Sequence, residues 1–272
     1  MIVLTDHLQA LVHDIVARVP ALAHIGPERV LVFARPGRSG ASGPLASCHC
    51  VARPSGDAGY FFWHDAETKC LLRRTAYVER HAPLVRVGAT RVTHLVSVSL
   101  PRFCDQRLDR LPKRFRYPGE ESWVAKLDTL IHELYHIDPS GAGLRGVGGV
   151  QSCLHSPAFY AEVTRLTRQY VATNPPETLI ACLRSGFREL EASHDGVAGR
   201  VFSTFPSFPR EYWEPIENQP LGPDVPLTNL RRPSKTDFSE ADFRTRHFRA
   251  DGSSRALPAI VEPGPVWVPA AA

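Results

Sequence analysis

Apolar positions along this chain alternate between helical and strand spacing. In MIVLTDHLQALVHDIV and the residues after it, Leu8, Leu11, Val12, Ile15, Val16 and Val19 recur at helical intervals, which predicts an amphipathic first helix. ERVLVFARP reads as a strand ending at Pro36, and GRSGASGP as a loop. LASCHCVAR, GYFFWHD and KCLLRRTAYVER are rich in β-branched and aromatic residues and read as short strands or hairpin pieces. The clearest strand runs from Thr93 to Pro101, alternating around Leu95, Val96 and Val98.

Helical spacing returns in PGEESWVAKLDTLIHELYHI, through Trp123, Val124, Leu127, Leu130, Ile131, Leu134 and Ile137. Pro118 and Gly119 precede this helix, Glu120 and Glu121 suit its positive N-terminus, and Asp138-Pro139 ends it. A second helix is predicted from Ala158 to Thr173, with Ser156 as cap and Pro157 in its first turn. A third runs from Glu177 to about Ala192. Strands followed by helices predict an α+β fold, with a small mixed sheet packed on the HELYH helix and the helix after it. From Phe205 the chain becomes proline-dense. The expected organisation is a domain over residues 1–204 and a C-terminal tail over 205–272, partly docked or disordered, with Phe205, Phe208, Tyr212 and Trp213 as docking residues.

The chemistry centres on His132-Glu133-Leu134-Tyr135-His136. Composition alone would yield an HExxH pentapeptide about 0.03 times in such a chain, so the match carries information. On a helix, His132 and His136 share a face and can reach one zinc ion, while Glu133 is placed as general base toward a water that the metal activates. Catalytic zinc takes three protein ligands. His155 is the first candidate for the third, because it lies just before the second helix, and the Gly-rich stretch 141–150 lets the chain fold back. Glu162, inside the second helix, and Asp138, just after the motif, are the alternatives. Tyr135, Arg145, Tyr160 and His194 are candidate oxyanion stabilisers, with Tyr135 better suited to packing.

HELYH followed after a loop by His155-Ser-Pro-Ala-Phe159 resembles the zincin metallopeptidases of the putative phage metallopeptidase and SprT-like groups, over roughly residues 90 to 170. The resemblance implies a zincin-like fold, one catalytic zinc ion and hydrolysis of peptide bonds in a protein or peptide substrate. It carries over His132, His136 and His155 as ligands and Glu133 as catalytic base. Ser156 stands where SprT-like proteins often have Gly. A zincin strand near the metal can pair with extended substrate, and order along the chain assigns that role to residues 93–99. The competing function is a zinc-binding interaction protein without proteolysis, against which Glu133 argues.

Composition adds three limits. The absence of a basic segment before the first apolar run, and of any membrane-length apolar stretch, predicts a cytoplasmic protein with no membrane partner. Six cysteines without a secretory signal are expected as free thiols. Cys48, His49, Cys50, His64 and Cys70 could form a second zinc site, but lack the usual two-residue gap, and a strand face accounts for them equally. Arg102, Arg107, Arg110, Lys113, Arg114 and Arg116 precede the HELYH helix. Nucleic-acid contact is one use for them, in line with SprT-like peptidases acting near DNA; a solvated face interrupted by Asp105 and Asp109 is the plainer one.

Overall fold

The structure is a computed structural model describing residues 1–37, 43–51, 59–64, 71–80, 83–108, 112–140, 143–145, 155–203, 210–213, 227–230 and 235–257. The chain begins with β1 (Ile2–Val3), α1 (Leu4–Arg18), β2 (Val30–Gly37), β3 (Ala46–Cys50), β4 (Gly59–His64), β5 (Leu71–Arg80), β6 (Leu84–Val87), β7 (Thr90–Val92) and β8 (His94–Pro101). It continues with α2 (Val124–Tyr135), α3 (Pro157–Ala172), α4 (Glu177–Arg184), α5 (Phe187–Ser193), β9 (Val197–Phe202), β10 (Arg210–Trp213), β11 (Leu227–Leu230), β12 (Asp237–Phe238), β13 (Phe243–Phe248) and β14 (Ser254–Ala256). This is a mixed α+β fold of small sheets with five α-helices among the described residues.

The sheet that positions the site has the order β2-β8-β3, with β8 parallel to β2 and antiparallel to β3. The alternation of β8 predicts one wet face, yet every residue of the strand is buried. Both faces are covered. Val96, Val98 and Leu100 join Val30, Val32 and Ala34 against the helices, while Leu95 joins Leu31 and Phe33 against Val85, Val92 and Phe238. The serines that create the alternation are buried as well, and the Ser99 hydroxyl donates to the Pro44 carbonyl at 3.0 Å.

The outer edge of β2 is closed by a side chain. Gln9, buried on α1, donates to the Val30 carbonyl and accepts from the Val32 N–H, each at 2.9 Å, as a neighbouring strand would. Beside it β9 comes so close that a Cβ on Gly199 would stand 2.8 Å from the Ala34 Cβ, which restricts that position to glycine. Within the proline-dense part, β13 pairs antiparallel with β9 from Phe243↔Phe202 to Phe248↔Val197, and Phe238, Phe243 and Phe248 are buried. Phe205 and Phe208 lie outside the described residues. No helix among the described residues is long and apolar enough to cross a membrane.

The single helix expected over 177–192 is two, α4 and α5. The chain turns extended at Ser185 and Gly186, the Gly186 N–H donates to the Glu189 carboxylate at 2.7 Å, and the Phe187 N–H donates to Asp105 Oδ1 at 3.0 Å. The break is fixed from outside. Lys126, buried on α2, donates from Nζ to the carbonyls of Leu183 and Ser185, both at 2.7 Å. Replacing Lys126 by Met keeps the apolar stem but leaves those carbonyls without this donor. Urea unfolding of Lys126→Met is expected to show a loss of about 1–3 kcal/mol, and an unchanged midpoint would remove Lys126 as the clamp between α2 and α4.

Candidate metal centre

α2 is buried on nearly every side, with Leu127, Leu130, Ile131 and Leu134 fully enclosed. Each such side chain stabilises its packed position by about 1.5–3 kcal/mol, which makes α2 a rigid platform. The helix ends at Tyr135, with His136 as its cap still in helical conformation, so His132 and His136 remain one turn apart on one face. At α3, the Ser156 hydroxyl accepts the Phe159 N–H at 3.1 Å and Pro157 occupies the first turn. His155 is therefore the residue just before the cap. Packing of α3 on α2 through the buried Val163, Leu166 and Tyr170 brings it to the end of α2.

The three Nε2 atoms form a triangle. His132 to His136, His132 to His155 and His136 to His155 are each 3.1 Å. A tetrahedral ion about 2.0–2.1 Å from each nitrogen would separate its ligands by about 3.3–3.4 Å, so the spacing fits one metal ion with a fourth position left open. Among the described residues this is the group of histidine, cysteine and acidic side chains that could hold a metal ion. Burial lowers the pKa of all three. With the other two imidazoles adding to it, His132 falls to about 2; with His155 and Arg145 adding, His136 falls to about 4. The lone pairs are thus open to a cation at neutral pH.

Aromatic rings hold the imidazoles in place. Phe159 packs against His132, His136 and His155 at centroid distances of 5.0, 4.8 and 5.3 Å, and Tyr160 stacks on His155 at 5.7 Å. The loop after the motif is pinned to the sheet. The buried His94 donates from Nε2 to the Gly143 carbonyl at 3.0 Å, the Asp138 N–H donates to that same carbonyl at 3.0 Å, and the Arg145 N–H donates to the His136 carbonyl at 2.6 Å.

The triad opens on a cleft of about 750 Å³. Glu133 lies in its wall, buried, and burial pushes its carboxyl up to about 7 against the opposing pull of the Cys48 N–H, Lys113 and Arg35. β3 forms the opposite border. Ser99 donates to the Leu45 carbonyl and Val51 to the Thr93 carbonyl, so the odd-numbered residues pair with β8 and the backbones of Ala46 and Cys48 face the other way. The edge role assigned to residues 93–99 is therefore corrected. β8 is paired on both sides, and β3 is the outer strand on the cleft side of this sheet among the described residues.

Other expectations resolve by contact. Glu162 pairs with Arg165 at 2.6 Å, and Asp138 accepts the Ser140 N–H at 2.9 Å, so neither joins the triad. Tyr160 lines the cleft, whereas Tyr135 packs on Phe159 and lies under Arg145. His194 sits near His7 on α1. Cys48, Cys50, Cys104 and Cys182 are in no disulfide; Cys70 lies outside the described residues. Of the basic cluster, Arg102, Lys113 and Arg116 turn into the cleft, and Arg110 lies outside the described residues.

Asp128, a buried carboxylate on the cleft wall, has no counterpart among the residues singled out from the sequence. It is 1% exposed, accepts the Tyr117 hydroxyl at 2.6 Å, and lies 2.6 Å from Lys113 Nζ and 3.3 Å from Arg116 Nη1. Its signal is its spacing, one turn before His132 on the same helical face.

The purified chain is expected to bind one zinc ion, and His155→Ala to weaken binding by at least about 100-fold, with the circular dichroism spectrum unchanged. Equal zinc content in His155→Ala would exclude His155 as a ligand. Asp128→Ala is expected to lower stability by about 3–5 kcal/mol in urea unfolding, because it leaves the Lys113 ammonium buried without its counter-ion. No protein-family model, curated protein or solved structure matches this chain.

Proposed function

We propose that the chain is a zinc-dependent metallopeptidase of zincin-like type, related in its site to the putative phage metallopeptidase and SprT-like groups. The observation that carries this reading is the convergence of His132, His136 and His155 beside the buried carboxyl of Glu133 in one cleft. A closed four-ligand structural site would need no acid there.

His132, His136 and His155 would hold the ion through Nε2. When bound, zinc supplies Lewis acidity, polarising a carbonyl and making water acidic near neutral pH. The chain's own residues supply the rest. Glu133 takes a proton at a carboxylate oxygen and returns it to the leaving amine, a role suited to a carboxyl raised towards neutrality. Tyr160, on the cleft wall against His132 and His155, stands where a hydroxyl can meet developing negative charge. The substrate backbone lies extended along β3, where the backbone of Ala46 and the carbonyl of Cys48 face the cleft, the Cys48 N–H being held by Glu133. Main-chain pairing of this kind gives affinity with little dependence on side chains.

Glu133→Gln tests the reading. It is expected to keep zinc at one ion per chain and to lose cleavage of casein or peptides by about 10²–10⁴-fold. Zinc binding with no proteolysis by the wild-type chain would favour a zinc-binding interaction protein instead, and undiminished cleavage by Glu133→Gln would remove the residue as base.

A further inference from the structure

The cleft carries an excess of positive charge that the hydrolytic reaction does not use. Arg102, Lys113 and Arg116 line it, against Asp128 and Glu133. Lys113 is engaged: its ammonium donates to Thr129 Oγ1 at 2.6 Å and to the Ala125 carbonyl at 2.7 Å, and forms an ion pair with Asp128 Oδ1 at 2.6 Å. Asp128 in turn is closed by Lys113 and the Tyr117 hydroxyl. Arg102 donates to the Gly43 carbonyl, a neutral acceptor, and has no ion-pair partner among the described residues.

Arg116 is different. The one polar contact of its side chain among the described residues is the 3.3 Å approach of Nη1 to Asp128 Oδ2, so Nε and Nη2 have no partner there, while its backbone N–H donates to the Lys113 carbonyl and its carbonyl accepts from Arg168. The guanidinium lies 5.0 Å from the centroid of the Tyr160 ring, and that ring is 5.7 Å from His155 and 5.9 Å from His132. The side chain is 23% exposed, so the fork is held by packing yet open to the cleft. A planar, preorganised fork with unused donors matches a carboxylate bidentately. The surrounding positive potential attracts the same ligand.

We propose that the cleft selects peptides by a carboxylate bound at Arg116. The carboxylate is supplied by an Asp or Glu side chain close to the scissile bond or by the substrate's own C-terminus. The inference rests on the peptidase reading for the position of that bond. At about 3.3 Å of advance per extended residue, the Tyr160 ring that lies between Arg116 and the histidines keeps the bound group within about three residues of them.

The test uses the zinc-loaded full chain and three peptides of one length. The first is blocked at both ends and carries Glu near the cleaved bond, the second replaces Glu by Gln, and the third is the Gln peptide with a free C-terminal carboxylate. Dissociation constants are measured by calorimetry on Glu133→Gln, and kcat/KM on the wild type. One acidic peptide is expected to exceed the blocked Gln peptide by at least about tenfold in both, the value of one charge-assisted contact. Which peptide does so identifies the source of the carboxylate. Adding Arg116→Gln should bring the ratio near one, and Arg116→Lys should restore part of it. Equal binding of all three peptides, or a preference that survives Arg116→Gln, overturns the proposal. If Arg116→Gln does not fold, the wild-type ratio and its decline with added salt decide. A carboxylate preference in binding without cleavage would remove the peptidase reading and keep the anion site; cleavage without preference would do the reverse.

Discussion

Three imidazole nitrogens held 3.1 Å from one another are the constraint on which this structure turns. A positive charge on any one of them is opposed by burial, and by repulsion as well on His132, from the other two imidazoles, and on His136, from His155. Such an arrangement persists only if the surrounding fold over-determines it. Here α2 is locked into the core by its leucines and isoleucine, α3 is packed along it, and Phe159 touches all three rings. Zinc binding would tighten the same packing.

The polar residues of α2 extend this logic away from the triad. A helix buried on almost every face has few places for charge, yet Lys126, Asp128, Thr129 and Glu133 are all buried on it. Each is matched by a specific partner. Lys126 meets the end of α4, Asp128 meets Lys113 and Tyr117, Thr129 meets Lys113 and Gln106, and Glu133 meets the Cys48 backbone. One helix thereby ties together the sheet edge, the basic segment before it and the helices after it. The partial match between Arg116 and Asp128 is the exception to this full pairing, and it faces the cleft.

Local signals were legible in the sequence and long-range ones were not. The periodicity of Leu8 to Val19 marks α1, and Ser156-Pro157 marks the start of α3, because stripes and caps are properties of neighbouring residues. His132, His136 and His155 were readable for the same reason: one pair shares a helical face and the third sits at a capped helix start. Strand order was hidden. Thr93 to Pro101 reads as a strand but not as the middle of a sheet, since that depends on Val30–Gly37 and Ala46–Cys50 arriving on either side. The split between α4 and α5 depends on Lys126 and Asp105, both distant in sequence. The arginines and lysine before α2 read as a solvated run, because only the fold reveals that Asp128 draws two of them inward.

The reading depends most on the identity and completeness of the metal shell, which X-ray absorption at the zinc edge measures on the purified chain. The account predicts three nitrogen ligands with imidazole scattering at about 2.0–2.1 Å and one further light atom at a similar distance. A sulfur shell at about 2.3 Å, which Cys48 or another thiol would produce, or a shell with fewer than three imidazoles, would contradict it.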